Sequence, residues 1–153
     1  MNASPFSEPL TARALALLRI VTAYLYLQHG SSKLLGFPHV AMFDHVSIAS
    51  LMGVAGMLEL VGGALLLVGL FARPVAFILC GEMAVGYFMA HASKGNLLLP
   101  MLNQGEAAVL FCFIFLFLAA AGASAWSVDA LRQRMFSSGI ASPALGEPSS
   151  IRR

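Results

Sequence analysis

Charge is scarce in this sequence. Of 153 residues, 10% are Asp, Glu, Lys or Arg while 59% are hydrophobic, where a soluble domain carries about 25% charged residues. So little charge cannot cover a water-facing surface, which excludes an ordinary soluble domain. The net charge of +2, without any run of Lys and Arg interleaved with aromatics, excludes nucleic acid as a partner. Cysteine is scarcer still. Cys80 and Cys112 lie in separate apolar segments without CxxC spacing, so neither a zinc site nor a thioredoxin-like motif is present, and both read as inert buried thiols. The opening MNASPFSEPLTAR delays its first Arg to position 13, and Arg19 interrupts the apolar run that follows. That pattern does not fit a cleavable signal peptide, so the first apolar segment is expected to be retained.

What the chain does have is length of apolar sequence. Mean hydropathy is +0.83, and four segments approach the roughly 20 apolar residues that a membrane-spanning helix needs. They run over about 10–30, 48–71, 74–91 and 104–122. The expected fold is all-α: an integral membrane bundle of four transmembrane helices with a short C-terminal interfacial helix. Residues 1–9 form a cytoplasmic tail and 10–125 the membrane domain. Residues 126–136 form an amphipathic helix with Ser127 as N-cap and Trp126 at headgroup depth. The Ser-, Pro- and Gly-rich 137–153 form a disordered cytoplasmic tail. Arg13, Arg73, Arg132, Arg134, Arg152 and Arg153 fall on the side of both termini, and only Lys33 and Lys94 fall opposite. Positive charge stays inside, so both termini are expected in the cytoplasm.

Three ionisable residues interrupt these spans: Arg19, Glu59 and Glu82. Counted from the outer ends of the spans at 1.5 Å per residue, each lies roughly 14–17 Å deep. This predicts one polar layer in which Arg19 pairs with Glu59 and Glu82 is left without a full counter-charge, with Tyr24 or Tyr26 as a source of a hydroxyl. An intramembrane charge is costly and faces the bundle interior. Such a layer either fixes helix register or serves a small-molecule site. Gly56, Gly62 and Gly63 lie on the Glu59 face of the second span and mark it as a packing face. His29, Lys33, His91, Asn103 and Glu106 cluster at the outer ends of the spans and outline an outer vestibule. The plainer readings are solvated histidines at the loop edges and a helix cap built from Asn103 and Glu106. No metal site is expected, because HVAMFDH lacks compact ligand spacing. Haem is not expected either, because no paired histidines face each other across a bundle core.

The blocks HGSSKL (29–34), LELVGGALLLVGLFARP (58–74), PMLNQGEAAVL (100–110) and GASAWSVD (122–129) together resemble the DoxX family of small bacterial inner-membrane proteins. The resemblance runs from about Arg13 to Asp129. It implies a four-helix bundle in a bacterial cytoplasmic membrane, and a family linked with thiosulfate oxidation at the quinone pool and with complexes that handle oxidative and thiol stress. The family's polar signature falls on Arg19, His29, Gly30, Lys33, Glu59, Gly62, Gly63, Asn103 and Glu106. The expected function is a membrane subunit of a quinone-, thiol- or sulfur-linked redox system, with quinone as the candidate ligand. Lipid, soluble or membrane redox proteins and further copies of the chain are the candidate partners. A proton- or solute-conducting subunit and a non-catalytic anchor are the alternatives.

Overall fold

The computed structural model describes residues 9–122 and 124–140, and no strand occurs among them. Helix α1 spans Leu10–Leu34. It does not stop at Gly30: Ser31 Oγ and Ser32 Oγ donate to the carbonyls of Gln28 and His29, so these hydroxyls are satisfied within the helix and do not end it. Helix α2 spans Leu51–Val68 and starts three residues later than the hydropathy pattern suggests, because Ser50 Oγ accepts from the Gly53 N–H and fixes the N-terminus there. Gly69, with φ 70°, ends it in the left-handed conformation that glycine adopts without cost.

The link to α3 (Ala72–Gly86) is three residues long, and Pro74 sits at the third helical position instead of the first. Beyond Gly86 the chain continues through one π-helical turn (Tyr87–His91) and a 3-10 turn (Ala92–Lys94). A short α4 (Pro100–Asn103) follows, and Gln104 at φ 61° breaks the path before α5 (Glu106–Ala121). Helix α6 covers Val128–Ile140, with Ser127 Oγ accepting from the Ala130 N–H. It runs four residues past the expected end at 136. The remainder of the expected disordered tail, 141–153, and residues 1–8 lie outside the described residues.

Three helical stretches, Leu10–Leu34, Leu51–Val68 and Ala72–Lys94, are long and apolar enough to cross a membrane; the fourth, Glu106–Ala121, is apolar but shorter. At 16 residues, α5 is about 24 Å long, less than a hydrocarbon core of roughly 30 Å. The helices pack as two antiparallel pairs, α1 on α2 and α3 on α5, joined by a weaker seam. Large apolar side chains such as Val21, Val61, Phe77 and Phe113 point outward, while Leu66, Leu79, Phe115 and Leu118 pack inside with alanines, glycines and a few polar groups. The apolar outer surface is what a lipid surround allows.

Glycines set the register of the first pair. A Cβ on Gly30 would lie 2.5 Å from the Leu60 nitrogen and 2.9 Å from the Gly56 carbonyl oxygen, and one on Gly63 would lie 2.9 Å from the Leu27 side chain. Gly56 receives Leu34 and Lys33, and Gly62 receives Leu79 of α3. The backbones can approach this closely only where side chains are missing.

Candidate functional site: an ionisable cluster at the seam

Because Gly30 sits against Gly56 and Leu60, Arg19 is not level with Glu59. The depth count placed Gly30 opposite Ile48, an error of about ten residues or about 15 Å. The expected Arg19–Glu59 pair is therefore absent. Arg19 is wholly buried at the end of the bundle that holds the α2–α3 link and the start of α6. Its guanidinium donates to the carbonyls of Leu66 (2.5 Å), Leu67 (2.8 Å) and Trp126 (2.9 Å), and to Ser124 Oγ (3.0 Å). Leu66 and Leu67 belong to the last turn of α2; the Leu66 oxygen also accepts from the Gly69 N–H, and the cation meets the negative end of the helix.

Two other charged groups finish helix ends in the same region. Arg73 Nη2 donates to the carbonyls of Ala120 (3.2 Å) and Ala121 (3.5 Å) at the end of α5. Asp129 accepts from the Phe71 and Ala72 N–H groups at the start of α3. This end of the bundle is thus a set of charged caps. Asp129 and Ser124 had no sequence signal for these roles, because their partners lie more than fifty residues away.

The counter-charge of Glu59 is Lys33. Its Nζ lies 2.5 Å from Glu59 Oε1, with the side chains 10% and 3% exposed. Glu59 is the ninth of the eighteen residues of α2, hence about 12 Å from either helix end, and the long lysine stem descends from the last turn of α1 to reach it. Across the seam, Tyr26 of α1 donates to Glu82 Oε2 of α3 at 3.0 Å. Of the two tyrosines considered, Tyr24 points outward and Tyr26 is buried. Glu82 lies within electrostatic range of both Glu59 and Lys33. One oxygen of each carboxyl group, Glu59 Oε2 and Glu82 Oε1, is buried without a hydrogen-bond partner.

The wall above these groups is aromatic. Tyr26 packs edge-on against Phe115, with centroids 4.8 Å apart, and lies 5.4 Å from Phe111. The His29 ring stands edge-on to Phe111 at 6.0 Å and tilted to Tyr26 at 6.3 Å. His29 and Lys33 therefore belong with the carboxyl groups.

The remaining vestibule residues form a different structure. Asn103 donates to Tyr87 Oη (3.1 Å) and to the Asn96 carbonyl (3.2 Å), and its Oδ1 accepts from the Gly105 N–H (2.9 Å). Tyr87 Oη in turn donates to the Leu97 carbonyl, and His91 stacks on Tyr87 with Nδ1 3.1 Å from the Asn103 carbonyl. This cluster braces the 95–105 loop. Asn103 is not the N-cap of α5, since the left-handed Gln104 intervenes, and Glu106 is exposed as the first residue of that helix. Among the described residues no group of three or more His, Cys, Asp and Glu could hold a metal ion.

The fold and these buried groups define a multi-pass helical membrane protein with an ionisable interior. A family model described as DoxX matches residues 14–92, and an uncharacterized protein from Haemophilus influenzae is 45% identical over 117 residues, covering 75% of this chain and 87% of that one. The chain belongs to the DoxX family. No solved structure matches it.

Proposed function

We propose that the chain is a four-span inner-membrane subunit of a redox system, and that Tyr26, His29, Lys33, Glu59 and Glu82 receive a quinone-like head group at the seam between the two helix pairs. One observation carries this reading: Glu59 Oε2 and Glu82 Oε1 are buried without partners. Burying such an oxygen is unfavourable unless a ligand or proton completes it. Quinone reduction consumes protons, and a carboxyl group beside a phenol and an imidazole supplies donors within the apolar surround that the molecule prefers. Lys33 and Tyr26 would orient the head group, while the Phe111 and Phe115 rings present an apolar wall to it. Sites between the helices of a bundle, apolar with a few convergent polar groups, are a common setting for small ligands.

Quantifying quinone extracted from detergent-purified protein tests the reading. The expected result is quinone retained in near-stoichiometric amount by the unmodified chain and lost in Glu82→Gln and Glu59→Gln variants that still fold. Quinone no higher than the lipid background, together with no quinone-dependent turnover of a thiol or sulfur donor, overturns it.

A further inference from the structure

The two cysteines, read from the sequence as unrelated and inert, are neighbours. Cys80 of α3 and Cys112 of α5 bring their Sγ atoms to 3.6 Å. Both are free thiols and both are half-buried. Their meeting follows from the antiparallel pairing: Cys80 is eight residues above Ala72 and Cys112 nine residues before Ala121, so each lies about 12–14 Å from the inner end of its helix. Gly81, beside Cys80, has nothing within 4 Å of its Cβ position, and Phe77 and Phe113 nearby face outward. The thiols themselves are partly exposed, with Cys80 packed on one side against the core, so the pair lies at the edge of the α3/α5 interface, at a depth that lipid-dissolved molecules reach.

We propose that Cys80 and Cys112 are a dithiol that a lipid-dissolved quinone oxidises within the membrane to an intramolecular disulfide. Two S–H bonds break and one S–S bond forms. The two electrons and two protons pass to the quinone, which leaves as the quinol. A disulfide needs about 2.05 Å between sulfurs, so closure asks each side chain to move by under about 1 Å, within reach of a rotamer adjustment on two helices already packed together. Cytosolic reductants keep exposed thiols reduced, but a pair at this depth is set apart from water-soluble glutathione and exposed to membrane oxidants. Closing the bond ties α3 to α5, the pair that carries Glu82 and Phe111. The couple goes beyond the carboxyl-site reading and does not rest on it.

The full chain in proteoliposomes, reduced and then exposed to decylubiquinone in the bilayer, is quenched with acid, labelled with a maleimide and weighed intact. The expected product is a monomer two hydrogens lighter and without label, formed with one quinol per chain. It returns to two labelled thiols after dithiothreitol, and Cys80→Ser or Cys112→Ser leaves one labelled thiol under every condition. Full labelling of both thiols after quinone treatment overturns the proposal, as does disulfide found only between two chains. Thiol count is independent of quinone retention by Glu59 and Glu82, so failure of one reading is distinguishable from failure of the other.

Discussion

Glu59 and Arg19 are both withdrawn from solvent, yet the consequences of removing their partners differ. Lys33 faces Glu59 as a discrete ion pair, with both side chains almost wholly buried. Truncating one member of such a pair leaves an uncompensated charge and costs about 3–5 kcal/mol, while replacing both members costs far less. Thermal unfolding in detergent is expected to show a large loss for Lys33→Met and recovery of more than half of it in Lys33→Met/Glu59→Gln. A double variant no more stable than the single one would mean that the pair is not coupled. Arg19 holds carbonyls, which cannot be substituted away. Each buried carbonyl left unpaired costs about 1–3 kcal/mol, so Arg19→Met is expected to destabilise by at least about 2 kcal/mol with no second-site neutralisation to rescue it. Lysine at 19 supplies charge without the planar fork and should restore stability only in part. Full restoration by Arg19→Lys would show that charge alone matters there.

Register between α1 and α2 belongs to the scale of the element. It is set by the absence of side chains at Gly30, Gly56 and Gly63, not by where the helices begin. Gly30→Ala places a Cβ within 3 Å of the α2 backbone at three atoms, and overpacking of this kind costs about 1–3 kcal/mol. Gly81 is helical too but opens onto free space, and there alanine is expected to be neutral or stabilising by about 0.5–1 kcal/mol through reduced backbone entropy. The comparison of the two variants in the same detergent checks the packing argument against a general dislike of alanine: equal effects would refute it. The π-helical turn at Tyr87–His91 is an element-scale feature of the same kind. It carries His91 around to stack on Tyr87, so that a residue expected beside His29 braces the 95–105 loop instead.

Across the whole molecule, Arg73 and Arg132 stand at the same end as the α2–α3 link and α6, while Lys33 stands at the far end of α1 and Lys94 in the 3-10 turn beyond the far end of α3. With positive charge retained inside, a C-terminal green fluorescent protein fusion in a bacterial host is expected to fluoresce and an alkaline phosphatase fusion at the same point to be inactive. The opposite pair of results would reverse the proposed orientation. The short α5 makes this a test of span number as well, since an odd number of crossings would separate the termini. The two tightly packed pairs meet at a looser seam, which the Tyr26–Glu82 hydrogen bond crosses and where the ligand is proposed to bind.

Composition and hydropathy determined that the chain is helical and membrane-embedded, because the cost of exposing apolar surface or burying backbone polar groups is a local property summed along a segment. The same local logic picked out Arg19, Glu59 and Glu82 as residues that cannot face lipid, His29 and Lys33 as part of a vestibule at the span ends, and Gly56, Gly62 and Gly63 as a face that can be closely approached. Which of them meet is not local. Helix ends read from hydropathy are uncertain by several residues, and each residue of slip moves a side chain about 1.5 Å along the axis and around to another face. Only the tertiary structure decided that Glu59 pairs with Lys33 and that Arg19 caps α2, through close backbone contact at Gly30, Gly56 and Leu60, and that two cysteines thirty-two residues apart meet, through the pairing of α3 with α5.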